Sequence, residues 1–437
     1  MSDTRTARSL PWADFPATRL SVLKAFLDGR PRTRSDIAGV IGQSLPSAAG
    51  HIEALETLGL IVQASTGGPA AGAPTDGSGA GAPTAGPGAG APAAGRAEQS
   101  SGAGRPPAAW RLNPRAAAAI GMELRPGGPR RAAARVATRI VLLDGSIASE
   151  RELAVSWNDL RATRSLVWQE AIDIQKSSEA AGLPITSLGI ALPGVVDCER
   201  KVLIHAPNLF LSNIGFGDLE DDLGMPVFVD NEANAAALAE HALVLTPALE
   251  QAGAGDESLV RISITEGVGA GVLVDGSLMR GVTWRAGEFG HMAIREGSRP
   301  CNCGRTGCWE QYASEWALLA DARAAGVRAR TVHGVVRQVA AGRPAAASVW
   351  QSYVHSLATG IENIAACIDP RTIVVGGEIA SAGDLLVTPL RREVESISFL
   401  TSGIQVDVSQ LGPWPASVGA GLLSFGQIFH STKESAA

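Results

Sequence analysis

Within the first sixty residues, apolar positions recur at helical spacing three times. "PATRLSVLKAFLDG" (16–29) ends on Gly29, and "TRSDIAGVIG" (33–42) has Ser35 as its expected N-cap. "SLPSAAGHIEALETLGLI" (44–61) opens on a Ser/Pro start signal, sets Ile52, Leu55 and Leu58 on one face, and stops at Gly59. "GLIVQA" (59–64) then reads as a strand, and "AAWRLNP" (108–114) reads as its partner. Helix, helix, turn, helix and a two-stranded ribbon describe a winged helix-turn-helix over 1–63, with the second wing strand and its connection in 104–114. Between the two wing strands, 64–103 is almost wholly Gly, Ala, Pro, Ser and Thr. Such a composition cannot bury enough apolar surface to offset its ordering entropy, so the segment is expected to be a disordered wing insertion or tether.

From 115 onward the pattern alternates. "RIVLLDGSI", "SLGIALPGVVD", "PVFVDN", "LVRISITEGVGAGVLVDG" and "TIVVGGEI" read as strands, whereas "RSLVWQEAIDIQKSSEAAG" and "EANAAALAEHALV" read as helices. Strand–helix alternation predicts an α/β body with two lobes and a cleft between them. The first lobe is placed at 115–240, completed by about 415–437, and the second at 241–414.

Composition narrows the class. The 437 residues are 45% hydrophobic with a formal net charge of -6, so the chain can build sizeable cores and is not a globally basic nucleic-acid binder. No run approaches the ~20 apolar residues of a membrane helix, and "MSDTRTARSLPWADF" is charged and lacks an apolar signal core. A reducing cytoplasm is the expectation. Two of the five cysteines, Cys198 and Cys367, read as small core residues. The other three crowd one loop behind a histidine: His291, Cys301, Cys303 and Cys308 have the spacing H-x9-C-x-C-x4-C.

Three thiolates and one imidazole make a closed tetrahedral set for a structural Zn²⁺, and Gly304 and Gly307 let the backbone curl the sulfurs toward one point. The alternative is three ordinary buried thiols. Glu288 and Glu310 flank the loop, and carboxylates accept hydrogen bonds from paired hydroxyls such as a sugar offers. His291 can ligate the metal through one ring nitrogen and meet a hydroxyl through the other. The competing reading makes these carboxylates supports of the metal ligands.

The run "GEFGHMAIREGSRPCNCGRTGCWE" resembles the signature of the ROK family, which groups sugar kinases with sugar-responsive repressors. "SLGIALPGVVD", "HAPNL", "VFVDNEANAAALAE", "GVGAGVLVDGSLMRG", "VVGGEIASAGDLL" and "ASVGAGLLSF" fall in that family's order and spacing. The resemblance implies an actin-like, ribonuclease-H-like two-lobed body and a homodimer or higher assembly. It implies a sugar site at Asn231, Glu232, Glu288, His291 and Glu310, with Asn208 of "APNL" added, and zinc on His291, Cys301, Cys303 and Cys308. The repressor branch carries an N-terminal winged helix, and the kinases lack it.

Kinases of this kind use an Asn-Asp pair with Asp as the base; here Asn231 is followed by Glu232, one methylene longer. Their D-x-G-G-T loop is replaced by "GMELRPGGPRRAAARVATR", where Pro126 and Pro129 remove backbone donors. Their G-T-G is replaced by "TEG", which sets Glu266 against a triphosphate. The expectation is therefore a non-enzymatic, sugar-responsive regulator, a repressor of carbohydrate genes. It would bind a pseudo-palindromic double-stranded DNA operator as a dimer and be released by a sugar or sugar phosphate, with no membrane partner. The alternatives are an ATP-dependent, glucokinase-like sugar kinase and a regulator whose signal is a protein partner. DNA contacts are expected from Arg34, Ser44, Ser47 and His51, with Arg105 of "GRP" as a minor-groove hook. The recognition helix carries no Arg for bidentate guanine readout.

Overall fold

The computed structural model describes residues 10–64, 107–125, 134–155, 160–206, 211–245, 258–396 and 398–426. The expected tether, Asn208 and Arg105 lie outside these residues. In the head, α1 (Ala17–Lys24), β1 (Arg32–Thr33), α2 (Arg34–Ile41), α3 (Leu45–Thr57), β2 (Ile61–Gln63) and β3 (Ala109–Leu112) follow in order. The wing strands β2 and β3 pair antiparallel, and β1 closes the other edge of β3. Helix α2 is capped by Thr33 and Asp36, each bonding the other's backbone N–H. The cap thus falls two residues before the expected Ser35, because this reciprocal box satisfies two orphan donors at once.

Helix α3 starts on Ser44, whose side chain accepts from the Ser47 N–H, and buries Ala48, Ile52 and Leu55. One expectation fails here: Leu58, expected on the face of Ile52 and Leu55, is 49% exposed. The helix ends at Thr57 and the chain swings away through Gly59 at φ 71°, which carries Leu58 off the apolar face.

The body is built on two five-stranded sheets. The first contains β4 (Ala118–Arg125), β5 (Ala134–Leu142), β6 (Ile147–Val155), β7 (Ile185–Leu192) and, after a small antiparallel sheet of β8 (Val195–Asp197), β9 (Val202–Ala206) and β10 (Leu211–Gly215), β11 (Val227–Asn231). Helices α4 (Leu160–Ala180) and α5 (Leu219–Leu223) accompany it, and α6 (Glu232–Glu240) leaves its last strand. The second contains β12 (Leu259–Ile264), β13 (Val268–Val274), β14 (Ser277–Leu278), β15 (Thr372–Gly377) and β16 (Gln405–Val408). Between and after them run α7 (Glu310–Ala313), α8 (Glu315–Ala324), α9 (Val332–Ala340), α10 (Pro344–Ile368), α11 (Asp384–Glu395), α12 (Ser398–Thr401) and α13 (Pro415–Leu423).

The sheet orders are β11-β7-β4-β5-β6 and β14-β13-β12-β15-β16. In each, the first three strands form an antiparallel meander and the last two add in parallel beside the first. This repeated topology is the actin-like, ribonuclease-H-like two-lobed fold. "RIVLLDGSI", expected as one strand, is a hairpin: it spans the end of β5, a turn at Asp144 and Gly145, and the start of β6. Asp-Gly supplies the turn, with Gly145 at φ 82°.

Helices α6 and α13 cross between the sheets. Every residue of α6 from Ala233 to Glu240 is buried. Its alanines meet the glycines of α13 so closely that a Cβ on Gly419 would stand 1.7 Å from the Ala235 carbonyl oxygen. Backbone therefore packs on backbone at the crossing, and any larger side chain there forces the helices apart. Beyond α13, Phe425 is fully buried and meets the fully buried Trp12 of the head edge-on, with ring centroids 5.3 Å apart at 70°. Leu143, Val418 and Leu422 of the body share one apolar cluster with Leu23, Ile37 and Ile52 of the head. Head and body thus have a continuous core. No helix among the described residues is long and apolar enough to cross a membrane.

Candidate functional site

The cleft between the sheets has a volume of about 1260 Å³. Glu232, Glu288, His291 and Glu310 line it together with Asn231, so the described members of the expected sugar site do converge. Asn231 sits at the end of β11 and caps α6: its Oδ1 accepts from the Ala233 and Asn234 N–H groups at 2.7 and 3.3 Å. Its Nδ2 donates to the Gly194 carbonyl at 2.7 Å, leaving one amide hydrogen for a ligand. Glu232 opens α6, where a carboxylate complements the positive end of the helix dipole.

Behind this turn lies a pair that the pattern of residues did not disclose. Asp230, 1% exposed, accepts from Arg280 at Nε and Nη2 (2.9 and 2.7 Å) and from Asn234 Nδ2 at 2.9 Å. Arg280 follows β14, so the pair ties the first sheet to the second directly beneath the site. Cys198, half-buried, packs against the apolar cluster of the first sheet, as expected, and also lies beside this pair, where burial and Asp230 together push its thiol up. Cys367, the other expected core thiol, is exposed, because it falls on the solvent face of α10 near its end.

The cysteine loop is pinned before any metal is considered. Ala293 bridges to Cys308 and Pro300 to Thr306, the Ile294 N–H donates to the Gly307 carbonyl at 2.9 Å, and Gly307 itself donates to Arg299. Gly307 stands at φ 77°, and a Cβ there would overlap the Arg295 carbonyl oxygen, so only glycine fits. Trp309, fully buried, donates from Nε1 to the Ser356 carbonyl at 2.8 Å and fastens the loop to α10.

His291, Cys301, Cys303 and Cys308 offer ligand atoms that all lie within 4.8 Å of one another, a cluster able to hold a metal ion. His291 turns Nδ1 toward Cys301 Sγ at 3.6 Å and Nε2 toward Glu288 at 3.8 Å. One ring nitrogen therefore faces the thiols and the other the cleft. Glu310, 12% exposed, sits 3.9 Å from the same Nδ1 and accepts from Cys301 at 3.0 Å. Burial in the cleft wall, joined by Glu310, raises the Glu288 pKa, and His291 opposes the shift.

Trp284 also lines this end of the cleft, in the left-handed region at φ 62°. A non-glycine held there costs energy, and an aromatic face beside hydroxyl acceptors suits the apolar face of a sugar ring. Its only sequence signal was a tryptophan between Gly281 and Gly287.

The DNA-facing expectations divide. Ser44 and Arg34 are exposed, with the Arg34 guanidinium 5.4 Å from the Trp110 ring centroid. Ser47, half-buried, donates to Gln43 Oε1 at 2.5 Å. His51 is half-buried with an unpartnered, buried Nδ1, and burial and the nearby Arg19 lower its pKa. Arg32 is held inside the head by Asp28 at 2.7 Å and by the Ala25 carbonyl.

Residues 143–423 match the model of the ROK family. The chain belongs to the ROK family. Among curated ROK relatives, it is 30% identical over 300 residues to a glucokinase of Halalkalibacterium halodurans, covering 64% of this chain and 88% of that protein. It is 26% identical over 280 residues to the xylose repressor of Bacillus subtilis, covering 63% of this chain and 71% of that protein. Of the solved structures, a ROK family transcriptional regulator described as a homologue of the E. coli MLC protein superposes with a TM-score of 0.73 at 21% identity. That match covers 94% of this chain and 96% of the other. A ROK family glucokinase from Streptomyces griseus in complex with glucose and AMPPNP superposes at 0.58 with 27% identity, covering 70% of this chain and 98% of its own.

Proposed function

We propose that this chain is a sugar-responsive transcriptional regulator, a repressor of carbohydrate genes that binds operator DNA as a homodimer and is released by a sugar or sugar phosphate. The observation that carries the reading is the winged helix-turn-helix sharing a core with a ROK body through Trp12 and Phe425. The near-complete superposition on a ROK regulator supports the same arrangement. Saccharide binds at the end of the cleft formed by Asn231, Glu232, Glu288, His291 and Glu310, with Asn208 as an added contact. The lobes comprise 115–240 with about 415–437, and 241–414; the packing of α13 on α6, β4 and β7 supports that division.

The metal is a structural Zn²⁺ on His291, Cys301, Cys303 and Cys308. A tetrahedral ion with bonds of about 2.3 Å to sulfur and about 2.0 Å to nitrogen needs donor edges of roughly 3.5–3.8 Å. The Cys303–Cys308 and His291–Cys301 separations are 3.6 Å each, and all the donor separations lie within 4.8 Å, which supports this donor set. Bound there, the ion would fix His291 so that Nε2 addresses the sugar. Saccharide closing the cleft strains the α6–α13 crossing, and α13 passes the change through Phe425 to Trp12, altering the spacing of two heads on a pseudo-palindrome. Ser44, Ser47 and Arg34 face the DNA, with His51 nearby and Arg105 in the minor groove.

Operator affinity measured against a panel of monosaccharides tests the reading, with genome-wide binding to identify the operator. A loss of operator binding with at least one sugar is expected, and identical affinity with every sugar overturns it. The 30% identity to a glucokinase keeps a second reading open, an ATP-dependent sugar kinase with Glu232 as base. ATP-dependent phosphorylation of glucose by the pure protein would establish it.

A further inference from the structure

Helix α3 has an unusual outward side. Ala48, Ile52 and Leu55 are buried, so at 3.6 residues per turn the opposite side carries Pro46, Gly50 and Glu53, with the half-buried Ala49 at its border. Over its first two turns this side has no hydrogen-bonding side chain. Leu45, 55% exposed, adds an isobutyl group at the tip. The fold gives no reason for glycine at position 50: its φ is not positive, and a Cβ there would meet nothing within 4 Å. Glycine inside a helix costs stability relative to alanine. What it adds is bare backbone, open to close approach from outside.

One polar group at this tip is already oriented. Gln43, exposed just ahead of the helix, accepts from Ser47 Oγ at 2.5 Å through Oε1. The amide keeps a second lone pair on Oε1 and the hydrogens of Nε2, an acceptor and a donor side by side. In the major groove adenine presents its N6 amino group and N7 in the complementary arrangement, whereas guanine sets O6 against Oε1. Glu53 and Glu56, both exposed, make the later turns of α3 acidic. A duplex is therefore met by the first turns, where the positive end of the helix dipole lies. Arg34 at the start of α2 and Arg111 on β3 are exposed cations of the same head, suited to phosphates.

We propose that the head reads A·T pairs through the major groove of double-stranded DNA. Gln43, held in place by Ser47, pairs with an adenine. Leu45, Pro46 and Ala49 receive thymine C5-methyl groups, and the bare backbone at Gly50 lets the helix sit close enough to touch them. Ser47 is a positioning residue, since its hydroxyl acts through the Gln43 amide. The proposal rests on the operator-binding reading and narrows it to which bases are read.

The test selects duplexes from random-sequence DNA with the full chain, then replaces single thymines of the selected half-sites by deoxyuridine. That exchange removes the C5-methyl group and leaves the base-pair hydrogen bonds and the minor groove unchanged, so a contact from Arg105 would not register. Each thymine read by α3 is expected to lose about four-fold in affinity, the worth of one buried methyl group. Leu45→Ala should bind thymine DNA less tightly and become indifferent to deoxyuridine at the position Leu45 touches. Gln43→Ala should weaken binding about ten-fold and lose the preference for adenine over guanine at one position of the half-site. Ser47→Ala should lower that preference and Ser47→Thr keep it. Melting temperatures equal to the parent's show that these variants are folded. Half-sites without A·T pairs, a parent indifferent to every deoxyuridine, or an adenine preference undiminished in both Gln43→Ala and Ser47→Ala overturns the proposal and leaves operator binding standing. If no duplex is enriched, both readings fall together.

Discussion

The two ends of the cleft are held by different physics. At one end a loop of irregular backbone is closed by short main-chain bonds, an anchoring tryptophan and four soft ligands for a cation. At the other, regular strands meet around the buried Arg261, the half-buried Arg125 and the carboxylates paired with them. The first arrangement leaves polar atoms directed outward, with His291 Nε2, Glu288 and Glu310 all reaching the cleft. The second sets Arg261 and Glu240 against each other in the interior. A surface that recognises hydroxyls needs donors and acceptors left over, whereas charges paired with one another hold the fold.

Removing the cation should have the largest effect. Cys308→Ser takes away a buried ligand of the cluster, and metal content measured by mass spectrometry is expected to fall from about one ion per chain to near zero. Because metal binding contributes folding free energy directly, the saccharide response should disappear with it. Stoichiometric zinc in the variant would refute the assigned ligand set.

At the opposite end, Arg261→Met leaves Glu240 buried without its partner, and stability in urea is expected to drop by about 3–5 kcal/mol. The double variant Arg261→Met with Glu240→Leu should recover most of that loss, since an apolar pair of similar volume is often no less stable than a buried ion pair. If the double variant is as unstable as the single one, the charges do more than neutralise each other.

Smaller effects distinguish recognition from support. Glu288→Gln and Glu310→Gln, made singly, should each weaken saccharide binding by about 1–3 kcal/mol while leaving the melting temperature nearly unchanged. A falling melting temperature with intact affinity would make these carboxylates supports of the metal loop instead. The smallest change is expected from Phe425→Leu, which removes an edge-on aromatic contact of about 0.5–1.5 kcal/mol. Operator affinity without sugar should stay close to that of the parent, and the ratio of affinities with and without sugar should shrink. An unchanged ratio would remove Phe425 from the route between cleft and head.

Much of this was legible in the chain. The cysteine spacing with its two glycines predicted a loop that gathers His291 with three thiols, because sulfurs from one curled segment can reach one point. The three helices and wing of the head were legible from periodicity, since each is short and each start and stop is a local matter of caps and glycine. Misreadings arose where a neighbour in space competed with a neighbour in sequence. Ser35 yielded the cap to Thr33 because Asp36 answers Thr33, and Leu58 turned outward because the helix stops one residue before it.

By itself, then, the order of residues determined the local elements, the loop that gathers His291 with three cysteines, the family and the presence of a winged helix-turn-helix head. Each is set by interactions within a few tens of residues, or by a motif read in one line. Only the tertiary structure decided the rest: the same strand order in both sheets, Asp230 meeting Arg280 beneath the site, Arg261 lying in the space left by Gly376, and Trp12 reaching Phe425. Those pairings join residues between about 50 and 410 positions apart, and no local preference specifies a partner at that distance. They follow from burying charge and ring surface together once the sheets and helices have packed.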